Sequence, residues 1–327
     1  MDQPFVHAFS NAGKDIVCIG LNDLGVAGGQ TATIDRALDG NAAPPAFVSV
    51  RIETRSTGTA GQNGPQIRPA SAADGTAYAA FYGWRSFDRN SGSVTADVVV
   101  VRDDPGGGAA PFTALLDSSD NLAGQRVALN VQFVWNGTMG NQRTGGDIAI
   151  AVDPNNSQRV YVAWADEQSS VYTLHLRCSN NGGQVWSAND IQTMANATNP
   201  ALAINANGVL AFAYQHVTGT GAAQRWVTQV DQTSDDATWT PLVLATVPAG
   251  NPQPQFQPYI GDYIRMISVG ADFYGVFSAN NLPDQNNFPN QVKYQRNADF
   301  NAGTLLATDR STPVNVSIDP FFFKITA

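Results

Sequence analysis

The sequence predicts an all-β chain built from a repeated four-stranded unit. Helical spacing of apolar residues is almost absent along its 327 residues. Short runs of β-branched and aromatic residues alternate instead with clusters of Gly, Asn, Asp and Pro, the punctuation of strands by turns. One order of strands and turns also recurs, with a period of roughly fifty residues.

The clearest unit covers 147–193. DIAIAVDP reads as a strand closed by a turn at Asp153-Pro154-Asn155-Asn156, followed by VYVAWAD, VYTLHLRC, the turn SNNGGQVW and VWSANDI. Residues 199–247 repeat this order as PALAINANG, VLAFAYQHV, RWVTQVDQ, the turn TSDDATW and TPLVLATV. Residues 65–117 repeat it as QIRPASAADG, TAYAAFYGWR, ADVVVVRDD, a glycine-rich turn and FTALLD. Residues 258–308 read YIGDYIRMISVG, DFYGVFSANN, QVKYQRNADF and TLLATD, and residues 2–54 read DQPFVHAF, DIVCIGLND, QTATIDRAL and FVSVRIET. Such repeats point to a β-propeller with one blade per unit, because a lone blade cannot bury both faces and must stack on its neighbours. A β-sandwich or β-helix is the alternative, but neither accounts for the recurring order. Two segments stand outside the count: 118–145, with RVALNVQFVW, and 312–325, with VNVSIDPFFFKI. Either supplies a sixth blade or a strand closing the ring with the N-terminus. The expectation is one domain, 1–327, of five or six blades.

Composition narrows the partners. Hydrophobic residues make up 43%, enough for a core, whereas charged residues make up 14%, against about 25% in average globular chains. Lysines are three, Lys14, Lys293 and Lys324, and the net charge is −9. That balance argues against nucleic acid and anionic membranes as partners. No run of 18 apolar residues is present, so membrane insertion is not expected. The start MDQPFVHAF shows no basic-then-apolar leader, while the Lys-poor, Asn-rich composition matches a secreted or cell-surface protein. Cys18 and Cys178 lie in apolar strand-like runs and read as two buried thiols, with one long-range disulfide as the alternative.

Ser179-Asn180-Asn181-Gly182-Gly183-Gln184-Val185-Trp186 resembles the Asp-box, or BNR repeat, Ser-x-Asp-x-Gly-x-x-Trp, of the sialidase superfamily, with Asn181 at the Asp position. An Asx side chain accepts amide hydrogen bonds along such a turn, glycine permits positive φ, and tryptophan folds back as an apolar cap. Residues 233–239, Thr-Ser-Asp-Asp-Ala-Thr-Trp, look like a shortened copy, and 102–112 occupy the same place without the pattern. The resemblance touches most of the chain and implies a sialidase-like propeller, six-bladed in the first reading and five-bladed in the alternative. It also implies that Ser179, Asn181, Gly183 and Trp186 are structural and lie on the face opposite a ligand.

The opposite face collects the ends of second strands and the starts of first strands. There the sequence offers Trp84, Arg85, Asp166, Glu167, His216 and Asn280, together with Arg68, Asp147, Asp262 and Tyr263. Aromatic faces and directional polar groups suit a sugar site, so Arg68, Arg85, Trp84, Asp147, His216, Asn280 and Arg265 are expected to bind ligand. The resemblance implies an arginine triad, a tyrosine nucleophile activated by Glu, and an Asp acid/base. The two glutamates are Glu53 and Glu167; Glu53 follows an outer strand and is expected far from the site. Glu167, Asp166, Asp262 and Tyr263, with Tyr259 as alternative tyrosine, are therefore the catalytic candidates. Arg68, within Gln66-Ile67-Arg68-Pro69, is only a weak relative of the family's arginine motif. Paired carboxylates also suit other glycosidases, or a Ca²⁺ ion. His7, His175 and His216 are scattered, so no zinc site is expected; His175 reads as a satisfied structural residue, and no metal or cofactor is assigned. The expected function is extracellular glycan recognition, with a glycoside hydrolase using the pit carboxylates and a protein-interaction scaffold as alternatives.

Overall fold

Val98–Val101 in the second repeat are four consecutive valines with no exposed surface, as befits a strand covered on both faces rather than one. The computed structural model describes residues 2–25, 31–55, 67–105, 110–134, 147–253, 259–261, 263–290, 292–293 and 297–326. Among them every regular element longer than a single 3-10 turn is a strand, and no helix is long and apolar enough to cross a membrane. The described residues form five four-stranded antiparallel sheets and one three-stranded sheet. The four-stranded sheets are propeller-type blades.

The chain divides into two compact units, the first comprising Met1–Trp135, Gly145–Ser170 and His175–Thr193, and the second mainly Met194–Ala327. In the first unit, β1 (Asp2–Asn11), β2 (Lys14–Asn22), β3 (Ala32–Ala37) and β4 (Val48–Arg51) form a meander. So do β5 (Ile67–Ser71), β6 (Ala77–Phe87), β7 (Ser93–Asp103) and β8 (Gln125–Val134), followed by β9 (Ile148–Asp153), β10 (Asn156–Gln168), β11 (Val171–Ser179) and β12 (Gln192–Ala195). Cys18, Ile34, Ile67, Phe81, Val99 and Phe112 pack together between the first two sheets. Gly20 permits that approach, since a Cβ there would stand 2.5 Å from the Ile67 carbonyl oxygen. Toward the third sheet, the Tyr82 hydroxyl accepts from Ala165 N at 2.9 Å and lies 2.8 Å from the Asp147 carbonyl oxygen. Cys18 and Cys178 are buried thiols that form no disulfide with each other.

In the second unit, β13 (Ala197–Ile204), β14 (Leu210–Thr218), β15 (Arg225–Thr233) and β16 (Thr240–Pro248) form one sheet. β17 (Arg265–Val269) and β18 (Asp272–Asn280) begin another, and β19 (Val292–Lys293) is its far edge. β20 (Asn297–Asp299), β21 (Thr304–Leu306) and β22 (Pro313–Val314) make the small sheet. The C-terminal β23 (Ile318–Ile325) inserts between β18 and β19. Its alternating Phe321, Phe323 and Ile325 join Trp226, Phe273 and Phe277 in the core.

Four strand assignments are corrected. FTALLD is not the fourth strand of the second sheet; RVALNVQFVW supplies it as β8. Ala114 N donates to the Arg102 carbonyl at 3.1 Å, but Asp117 then accepts from the amides of Ser119 and Arg126 at 3.0 Å each, fixing a turn that leads into β8. In the fifth unit QVKYQRNADF contributes Val292–Lys293 to the four-stranded sheet, while β20 and β21 pair apart. The segment 312–325, read as a sixth blade or a partner of the N-terminus, takes third place beside β18, because its apolar row completes that core. The strand expected in VWSANDI falls slightly later, at β12.

The turn after β11 is held by its own side chains. Ser179 Oγ donates to Asn181 Oδ1 at 2.9 Å and accepts from Gly183 N at 2.9 Å. Asn181 Oδ1 accepts from Val185 N at 2.9 Å, and Trp186 Nε1 donates to the Gly183 carbonyl at 3.1 Å. Gly182 and Gly183 have φ of 67° and 84°, which only glycine adopts without strain. The turn after β15 copies the scheme: Thr233 Oγ1 donates to Asp235 Oδ1 at 3.1 Å, which accepts from Ala237 N and Thr238 N at 3.0 and 2.7 Å. Ser179 is 1% exposed, so Ser179→Ala strands buried partners and lowers unfolding free energy by about 1–3 kcal/mol in urea titration. Asn181→Asp keeps the acceptor oxygen and changes stability by less than about 0.5 kcal/mol.

Candidate functional site

The end of β6 brings Trp84 and Arg85 to one end of the second sheet. Trp84 is 1% exposed and packs edge-on against Phe133, with ring centroids 6.3 Å apart. Arg85 reaches back across the sheet: Nε donates to Asp97 Oδ2 at 2.9 Å and Nη1 to Glu53 Oε2 at 3.2 Å. Gly83, directly across the ladder from Asp97, makes room, since a Cβ there would collide with both the Arg85 guanidinium and the Glu53 carboxylate. Burial pushes the Glu53 carboxyl up, against the opposing charge of Arg85. Arg85 Nη2 is buried and makes no hydrogen bond among the described residues.

Two further arginines extend the network. Arg55 grips Asp120 with Nε and Nη2, at 2.7 and 3.0 Å, and donates to the carbonyls of Ala123 and Gly124. Arg126 pairs with Asp117 through Nε at 3.2 Å and stands 3.7 Å from Asp97 and 3.5 Å from Asp120. Burial would raise the Asp117 carboxyl, yet hydrogen bonds from Arg126 and Ser119 hold it well below the usual range. Arg55 likewise holds Asp120 down. Arg55, Arg85, Arg126, Asp97, Asp120 and Asn130 line a cavity of about 380 Å³, flanked by Leu122 and Leu129. Three guanidinium groups thus alternate with carboxylates around one opening.

Other predicted residues lie elsewhere. Arg68 is 8% exposed and sits over the Phe5 ring, 4.2 Å from its centroid. Asp147 is buried, with its carbonyl facing the Tyr82 hydroxyl, and Glu167 is half-buried beside the buried Asp166. In the second unit, Asn280 is buried and its Oδ1 accepts from Leu282 N at 2.7 Å. His216 is half-buried, with a pKa lowered by burial, and burial also lowers that of Arg265. Tyr263 is exposed, whereas Tyr259 donates to the Pro252 carbonyl at 2.8 Å and is pushed up to about 12 by burial. Asp262 and Gln66 lie outside the described residues. Glu53, expected far from such a site, lies beside Arg85; the chain after β4 folds inward and buries it to 1% exposure. Sequence reasoning missed Arg55, Asp97, Asp117, Asp120 and Arg126. An Asp immediately before four valines was the available signal for Asp97.

No family model matches the chain, and no curated protein matches it. Similar solved structures include a Penicillium chrysogenum α-L-arabinanase complexed with arabinobiose, at 11% identity and TM-score 0.48, covering 84% of this chain and 74% of that one. A Trypanosoma rangeli sialidase is 13% identical with a TM-score of 0.48, covering 98% of this chain and 54% of that one, so this chain spans about half its length. A Lactobacillus brevis α-L-arabinofuranosidase is 13% identical with a TM-score of 0.43, over 97% of this chain and 89% of that one.

A second polar cluster lies in the third sheet. His175 Nε2 meets Asp166 Oδ1 at 3.0 Å and Nδ1 meets Asp190 Oδ2 at 2.8 Å. Its ring stacks on Trp164, and Arg177 also binds Asp190. Burial disfavours the imidazolium, but the two carboxylates win and raise the pKa to about 9. Among the described residues no group of three or more His, Cys, Asp or Glu side chains is placed to hold a metal ion. A raised folded-state pKa stabilises the fold fully below the unfolded value near 6.5 and loses that contribution as pH rises through about 9. Unfolding free energy should therefore fall by on the order of 3 kcal/mol between pH 6.5 and 9.5. His175→Gln should flatten that slope in urea titrations across the same window.

Proposed function

We propose that this chain recognises a glycan outside the cell, and that the sugar occupies the cavity of Arg55, Arg85 and Arg126. The observation that carries this reading is the lining itself. Guanidinium donors alternate with the acceptors Asp97, Asp120 and Asn130 around a cavity flanked by Leu122 and Leu129. Adjacent sugar hydroxyls both donate and accept, and their C–H faces need apolar flanks, so such a lining matches them. We read the turns after β11 and β15 as Asp-boxes. Arg102, at the far end of β7 from the cavity, donates to the Gly182 carbonyl at 2.9 Å, which fits a ligand face opposite the box turn.

Recognition without hydrolysis is favoured by the state of the carboxylates. A glycosidase needs one protonated carboxyl and one ionised carboxylate flanking the sugar. Here Arg55 holds the lining carboxylate Asp120 below its usual range, and Glu53, whose carboxyl burial pushes up, is fully buried beneath Arg85 and is not part of the cavity lining. Glycan-array screening followed by calorimetry tests the reading. Arg85→Lys and Arg126→Lys keep the charge but lose the fork, and should weaken sugar binding at least tenfold (about 1.4 kcal/mol) while circular dichroism stays native. Turnover of fluorogenic glycosides that disappears in Glu167→Gln would establish the hydrolase instead, and the absence of any sugar binding would leave the scaffold.

A further inference from the structure

A second cavity opens at the other end of the first two sheets, where β1 turns into β2, β5 turns into β6, and β3 and β7 end. Its volume is about 250 Å³, and Phe9, Ile16 and Leu38 form apolar walls. Arg36, Asp103 and Asp104 also line it, with Asp104 neutralised by Arg102 Nε at 2.8 Å. The Arg36 side chain is 9% exposed, and Nη1 donates to Asp103 Oδ2. That is its one hydrogen bond among the described residues, although a guanidinium carries five N–H donors. The rest of the fork therefore lines the cavity without a protein acceptor.

A carboxylate offers two parallel acceptors that match the free edge of a guanidinium, with Asp103 holding the other edge. Lys14, on the same lining, adds a second cation at the rim, paired with Asp39 at 3.2 Å. Cys18 lines the cavity too, and burial pushes its thiol up to about 11, so it stays neutral. The apolar walls ask for a ring or short hydrocarbon, and an apolar cavity of about 150 Å³ already holds benzene. We propose that this cavity binds a small aromatic carboxylate, independently of any sugar at the opposite end of the same sheets.

Phenylacetate titrated into the ¹⁵N-labelled chain tests this. Saturable shifts should appear at amides lining the cavity, with affinity at least tenfold above that for 2-phenylethanol, which keeps the ring and loses the carboxylate. Arg36→Lys, which retains a cation for Asp103, should weaken phenylacetate tenfold or more. Phe9→Ala, in a half-buried strand position away from the ion pair, should weaken it at least fivefold and serves if Arg36→Lys does not fold. No saturable shift up to about 10 mM phenylacetate would overturn the proposal. So would equal affinity for the alcohol, or undiminished binding in a folded variant of either residue.

Discussion

Sheets that are apolar on both faces impose the constraint on which the rest of this structure depends. Ala77–Trp84 and Val98–Val101 are all buried, so the sheet that contains them exists only when covered on both sides. Neighbouring sheets supply that cover, and close approach is eased where a strand carries glycine, as at Gly20 against Ile67. Polar chemistry is driven toward strand ends and turns. The low charged fraction of the chain follows, because little surface is left along the strands themselves.

Where charge enters the sheets it comes in compensated groups. Asp97 sits within a strand of valines and is met by Arg85 and Arg126. Glu53 is buried and met by Arg85, in space left by Gly83. Removing one partner of such a pair leaves an uncompensated buried charge, which costs far more than the pair contributes. Arg36 is likewise met by Asp103, while the rest of its fork makes no hydrogen bond among the described residues. His175 shows the opposite case, with both ring nitrogens engaged by carboxylates.

Much of the fold was legible because strand period and turn chemistry are local. The DP turn after β9, the glycines at 182–183 and the Ser–Asn and Thr–Asp turns are readable without knowing what packs against them. The end of β6, with Trp84 and Arg85, was legible as a polar strand end for the same reason. Asp117, Asp120 and Arg126 were not, because they come from a loop and a strand whose place in the second sheet is set by pairing along β7, and Arg55 was not, because it follows β4 of the first sheet and meets Asp120 only in the fold. Glu53 was misjudged because a position after an outer strand says nothing about which way the chain turns next.

By itself the sequence determined the strand character, the repeat, the turn geometry and the net charge of −9, all consequences of composition and short-range spacing. Tertiary structure alone decided which strand completes each sheet and which charges meet. β23 reaches β18 from 38 residues along the chain, and Arg55 finds Asp120 across 65 residues. Such contacts depend on complementary apolar rows and on charge neutralisation in low dielectric, and neither leaves a local mark in the chain.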